Sequence, residues 1–173
     1  MINMNQYFIF DGTSSLTFDA VVFPGNDRTM PGRQYIVTEV PGRNGDLLTG
    51  GNRYSNVEHS YEVIIYRNFE SNFSRLINFL LSRDGYCRLE DTFKPDEFYM
   101  AYYTGPTEPR VARNGEIGRF TVTFNRQPQR WLKSGEKEHT LVNSTGIVSS
   151  TIKNITAFNT YPLFAIQIGR AHV

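Results

Sequence analysis

Apolar and polar residues alternate along most of the chain up to Arg126 with the two-residue period of β-strands. Tyr7-Phe8-Ile9-Phe10 is apolar and stops at the turn pair Asp11-Gly12. Leu16, Phe18 and Ala20 alternate with Thr17 and Asp19, which predicts a second strand, broken by Pro24-Gly25-Asn26-Asp27. A strand over residues 34–40 leads into Pro41-Gly42-Arg43-Asn44-Gly45-Asp46, the strongest turn signal in the chain. There proline presets one dihedral angle, and Asn44-Gly45 can supply the positive φ of a tight hairpin. Leu47 and Leu48 resume apolar character before Gly50-Gly51-Asn52, expected to loosen the chain. Val57, His59, Tyr61, Val63 and Ile65 then occupy one face of the clearest long strand, with Glu58, Ser60 and Glu62 on the other.

One stretch has a different period. Phe69, Phe73, Leu76, Ile77, Leu80 and Leu81 share one stripe of a 3.6-residue helix. Asn68 and Ser71 are candidate N-caps, and Gly85 is a candidate stop. Asn72, Ser74, Arg75, Asn78 and Ser82 are expected to face water or a partner. Strands resume at residues 86–89 and 97–103 and close with Gly118, Phe120, Val122 and Phe124. Residues 105–115 read as a polar loop. From Pro128 to Ser150 the chain turns polar and reads as a linker or peripheral arm. The fold class is therefore mainly β with one helix.

Composition agrees. The 13 Phe and 10 Tyr against one Trp favour pleated surfaces. The net charge of +1 argues against a dedicated nucleic-acid binder, which usually carries a strong basic excess. Fourteen of the 18 basic residues are arginine, dispersed rather than clustered, which suits protein interfaces. The single cysteine, Cys87, excludes an intramolecular disulfide and a cysteine zinc cluster. No segment has the pattern of a signal peptide or the apolar length of a membrane span.

Little in the chain suggests reaction chemistry. His59 falls on an apolar strand face and His139 in a charged stretch, with no metal-ligand spacing between histidines. Cys87 reads as a small buried hydrophobe. Glu90-Asp91 and Asp96-Glu97 do not match a calcium loop and read as solvated charge beside a turn. Gly42, Gly45, Gly50 and Gly51 form neither a P-loop nor a dinucleotide fingerprint. No catalytic residue, cofactor or metal is expected, and the chain does not read as an enzyme.

The order of features resembles the distal tail proteins of long-tailed phages. The matching pieces are Phe8-Ile9-Phe10-Asp11-Gly12, the Val-Pro-Gly-Arg-Asn-Gly-Asp-Leu-Leu segment from Val40, and Asn56-Val57-Glu58 opening a long strand. The helix follows, then the Gly85 to Asp91 segment, and finally Phe124-Asn125-Arg126-Gln127-Pro128-Gln129-Arg130-Trp131-Leu132. The resemblance covers residues 1–135. It implies a β-sandwich-like domain flanked by one helix, related to tail-tube architecture. Six copies would form a ring joining the tail tube to baseplate or tail-tip proteins, with DNA passing through without specific recognition. Its setting would be the virion tail tip, after assembly in the bacterial cytoplasm, without membrane insertion.

A closed ring needs two different patches that meet between copies. The hairpin of Pro41, Gly42, Arg43, Asn44 and Gly45 is the candidate subunit contact, with the loop 105–115 as a second. Residues 136–161 are expected to be a linker. Residues 162–167, entered through Asn159-Thr160-Tyr161-Pro162, would begin a second domain, galectin-like in many members of the family. Ile168-Gly169-Arg170-Ala171-His172-Val173 is what ATC GGA AGA GCA CAC GTC encodes, a string resembling a sequencing adaptor, and is expected to be read-through. The competing reading is a carbohydrate-binding β-sandwich using Tyr99, Tyr102 and Tyr103. A hydrolase built on His59 or Cys87 is a weaker third.

Overall fold

The computed structural model describes residues 5–24, 30–105, 109–112 and 115–136, with isolated positions 138, 140, 151, 153, 164 and 165. The chain divides into two units, Met1–Lys137 and Glu138–Val173. The first is the β-domain. The expected linker, second-domain start and terminal hexapeptide lie largely outside the described residues.

Eleven strands are described: β1 (Phe8–Phe10), β2 (Thr13–Ser14), β3 (Ala20–Pro24), β4 (Arg33–Thr38), β5 (Leu47–Tyr54), β6 (Val57–Ile65), β7 (Cys87–Asp91), β8 (Glu97–Tyr103), β9 (Arg110–Ala112), β10 (Ile117–Arg126) and β11 (Trp131–Leu132). One helix, α1 (Phe69–Leu81), separates β6 from β7. Nine strands form one antiparallel sheet in the order β2-β1-β7-β8-β10-β6-β3, with β11 beside β8 and β9 beside β10. Strands β4 and β5 form a separate ribbon.

The spine is the β6–β10 pair, in register from Val57↔Arg126 to Ile65↔Gly118. This register puts Tyr61, Val63 and Ile65 on the same face as Val122, Phe120 and Gly118. The sheet curls until its ends meet: the Val22 amide of β3 donates to the Gln6 carbonyl just before β1, at 2.9 Å. Right-handed strand twist makes such curling natural. The interior is aromatic. Phe124 lies within 5.0–6.1 Å of the ring centroids of Phe8, Phe10, Tyr61 and Tyr103.

The mainly β architecture with one helix agrees with the sequence, but several local readings change. Residues Ser15–Phe18 form a 3₁₀ turn rather than a strand. The Ser14 hydroxyl accepts from the Leu16 amide at 3.2 Å, and Ser15 Oγ donates to the Ala20 carbonyl at 2.9 Å. Short hydroxyl side chains satisfied locally outcompete a ladder there. Strand β5 runs through Gly50-Gly51 instead of loosening. The Tyr35 ring lies over Gly51, and the register shifts between Gln34 and Tyr35. Strands β9 and β11 lie where a loop and a linker were expected.

The helix forms over the expected apolar stripe, but it ends before the expected stop, lacks the expected cap at Asn68 and has a different polar face. Asn68 has a positive φ of 42° and makes no side-chain cap. Asn72, expected at the surface, is buried and donates to Asp19 Oδ2 and to the Arg67 carbonyl, each at 3.0 Å. Its carbonyl oxygen accepts from Arg75 at 3.0 Å. A turn residue, Asp19, thus reaches into the helix and replaces solvent. Leu81, expected in the stripe, is 63% exposed, while Phe69, Leu76 and Leu80 are buried. Gly85 has a φ of +70° but follows the helix end by several residues, so it serves the turn into β7.

Tyr61 marks how polar groups enter the core. Its hydroxyl donates to Asp91 Oδ2 at 2.8 Å, while Asp91 Oδ1 accepts from the Phe93 and Lys94 amides at 2.9 Å. Burial, reinforced by the Asp91 charge, pushes the Tyr61 phenol well above its ordinary range. Asp91 is therefore a structural acceptor rather than a solvated charge.

Gly118 lies under α1, where a Cβ would overlap the Phe69 ring. Gly118→Ala should cost about 1–3 kcal/mol through overpacking. Urea unfolding followed by circular dichroism measures it, and an unchanged midpoint would contradict the packing described.

Candidate functional site

The candidate contact Pro41, Gly42, Arg43, Asn44 and Gly45 lies at the tip of the β4–β5 ribbon. The ribbon pairs from Arg33↔Tyr54 to Thr38↔Leu47, so residues 39–46 form an eight-residue loop rather than a tight turn. Gly42 and Gly45 have φ of +79° and +84°, whereas Asn44 is not among the residues with positive φ. The Arg43 amide donates to the Val40 carbonyl at 3.2 Å, closing a local turn around Pro41-Gly42. The expected Asn44-Gly45 hairpin turn is thus replaced by a longer loop with a glycine in each bend.

The ribbon is long and bare. Strand β5 has eight residues, roughly 26 Å of extended chain. Every residue from Arg33 to Gly50 is exposed. On one face lie Tyr35, Val37 and Leu48; on the other lie Ile36 and Leu47, from the register Tyr35↔Gly50, Ile36↔Thr49, Val37↔Leu48 and Thr38↔Leu47. Ile36 is 67% and Leu48 60% exposed. The root is fixed: the Ser55 amide donates to the Gly32 carbonyl at 3.0 Å, and Arg33 Nε donates to Tyr54 Oη at 3.0 Å beside the Tyr54 ring. Such a two-stranded ribbon is marginal alone and gains stability from a further strand or a packed surface. Its apolar residues are exposed and its two strands pair only with each other among the described residues.

The sequence pointed to the tip but not to these apolar flanks. Tyr35-Ile36-Val37 reads as an ordinary strand. The available signal was that three apolar residues in a row leave no polar face. In the second candidate loop, Gly105 and residues 109–112 and 115 are described, with β9 exposed beside β10. Residues 106–108 and 113–114 lie outside the described residues.

The residues weighed for chemistry fall apart or become structural. His59 on β6 and Cys87 on β7 are separated by β8 and β10 in the sheet, a span of roughly 14 Å at 4.8 Å per strand spacing. Burial is the first cause raising the Cys87 thiol pKa, which disfavours the nucleophilic thiolate. Glu90 bonds to Arg88 and Lys133, and Glu97 to Arg130. Among the described residues no cluster of metal-ligating side chains occurs. Tyr99 is buried beneath Arg126, Tyr103 packs on Phe124, and only Tyr102 of the three is exposed. The three do not form the flat platform that the carbohydrate reading requires.

Residues 13–126 match the phage tail protein RIFT-related domain family. Among solved structures, the fold is similar to the crystal structure of the Dit protein (gp 19.1) of phage SPP1, described as a paradigm of hub adsorption apparatus in phages infecting Gram-positive hosts. The similarity has a TM-score of 0.58 and 22% identity and covers 73% of this chain. The chain spans about half, 52%, of that protein's length. No curated protein matches the sequence.

Because the ribbon buries almost nothing in its own domain, replacing residues 36–49 with Asn-Gly should leave the thermal midpoint within a few degrees of the parent. Differential scanning calorimetry checks this. A large fall would mean that the ribbon supports the core.

Proposed function

Since the chain belongs to the phage tail protein RIFT-related domain family, we propose that it is the ring-forming domain of a distal tail protein, joining the tail tube to the baseplate or tail tip. A structural role in a phage virion follows from the family itself. Six copies around the tail axis, DNA passing through the ring, and assembly in the host cytoplasm are the finer parts of the proposal. The fold similarity to a tail hub protein supports it.

The observation that carries the reading is the projecting ribbon. A closed cyclic ring needs a heterologous interface, in which one patch on each copy meets a different patch on the next. A rooted ribbon with apolar residues on both faces can reach across such an interface, leading with Pro41, Gly42, Arg43, Asn44 and Gly45. Gly42 and Gly45 let the tip bend tightly, and Arg43 offers a planar donor for a neighbour's carboxylate. We further propose that residues 136–161 act as a linker to a second domain beginning near residue 162.

Light scattering of the 173-residue chain should give six times its 19.9 kDa mass, roughly 120 kDa. The ribbon replacement, and separately Ile36→Asp with Leu48→Asp, should reduce it to the monomer while circular dichroism is unchanged. A hexamer that survives loss of the ribbon would remove the ribbon from the interface. A chain that stays monomeric even with a tail-tube protein present would remove the ring.

A further inference from the structure

The end of the β-domain is held down by more charge than its short strand accounts for. Strand β11 makes two pairs with β8, Trp131↔Phe98 and Leu132↔Glu97, and the Lys133 amide donates to the Asp96 carbonyl at 3.0 Å. Around this pairing, the Lys133 ammonium contacts Glu90 Oε2, and Arg88 Nε donates to Glu90 Oε1 at 2.5 Å. Arg88 also reaches forward to Glu136 Oε1 at 2.6 Å, and Arg130 to Glu97 at 3.3 Å. The Arg88 guanidinium lies 3.9 Å from the Phe98 ring, whose plane is inclined by only 17° to that of Trp131.

Glu90 is the centre of this arrangement, since one carboxylate serves two cations from two segments. Burial works against its ionisation. The hydrogen bonds and charges of Lys133 and Arg88 outweigh that and hold its pKa below the ordinary value. No residue of 128–136 belongs to the aromatic core, and Trp131 is 48% exposed. Upstream, the chain is fixed to β8 again at Gln127, whose amide donates to the Met100 carbonyl at 2.8 Å.

We infer that residues 130–136 form a detachable ionic strap, keyed by Glu90, that sets where the chain leaves the β-domain. Closed, it holds the exit at the N-terminal end of β8. Released, the exit retreats to Gln127, and residues 128–136 give the following segment roughly 30 Å more reach at ~3.3 Å per residue. Opening uncovers Phe98, on which Trp131 stacks, but no residue of the central aromatic cluster, so it is a local event well below global unfolding in cost. The charge pairs therefore set the balance between the two states. Every contact of the strap lies within the β-domain, so the strap does not depend on the ring.

Trp131 is the only tryptophan in the chain, so its fluorescence reports the strap directly. Glu90→Gln keeps the shape but removes the charge facing Arg88 and Lys133. It should raise the rate of tryptic cleavage after Arg130 and Lys133 about tenfold and shift the Trp131 emission to longer wavelength. The circular-dichroism melting midpoint should stay within a few degrees of the parent. Glu136→Gln, at an exposed position, should give a smaller rise, and 1 M NaCl should act on the parent in the same direction. Unchanged cleavage and emission in both variants would overturn the proposal. So would cleavage that rises only in step with loss of the melting midpoint, because the strap would then open only with the whole domain.

Discussion

A sheet that curls onto itself must fill its own interior, and here Phe124 does so. It meets Phe8 and Phe10 from β1, and Tyr61 from β6 and Tyr103 from β8, the two strands beside its own. These residues are far apart in sequence, so the cluster exists only once their strands are assembled in one sheet. The closure fixes the rest. The β6–β10 register places Gly118 beneath Phe69 and so seats the helix. The Tyr61–Asp91 hydrogen bond ties the interior to the turn after β7. The hydrogen bond from Val22 to Gln6 completes the circle.

What the closed sheet leaves out is what can act on other molecules. The β4–β5 ribbon is excluded because its insertion falls between two strands, β3 and β6, that already pair with each other. It leaves and returns at one point, tied at Gly32 and Ser55, and carries its apolar residues outward. The segment 130–136 is excluded for a different reason. It is added to the sheet by two pairs at the N-terminal end of β8 and secured by charge. One element thus offers apolar surface without a partner in its own domain, and the other can be gained or lost without disturbing the core.

The carboxylates show how tertiary context decides a side chain's role. Glu90, Asp91, Asp96 and Glu97 are indistinguishable as turn-flanking charge along the chain. In the fold, Asp91 accepts from a buried phenol and two amides, Glu90 bridges two cations, and Glu97 pairs with Arg130. The tyrosines at 99, 102 and 103 separate in the same way, because strand alternation and the curl turn two of them inward.

The sequence by itself determined the β-rich class, the long strand from Val57, the place of the helix, the family resemblance and the position of the hairpin tip. Each is written in local periodicity or in turn chemistry, which needs no distant partner. Only the tertiary structure decided that Ser15–Phe18 coils instead of extending, that Asn72 is buried, and that β5 continues through two glycines beneath Tyr35. It likewise decided that Tyr35, Ile36 and Leu48 face outward and that Arg88 meets Glu136. The physical reason is the same throughout. An apolar strand reads alike whether its partner is its own core or another molecule, and an ion pair between distant residues has no trace in local spacing.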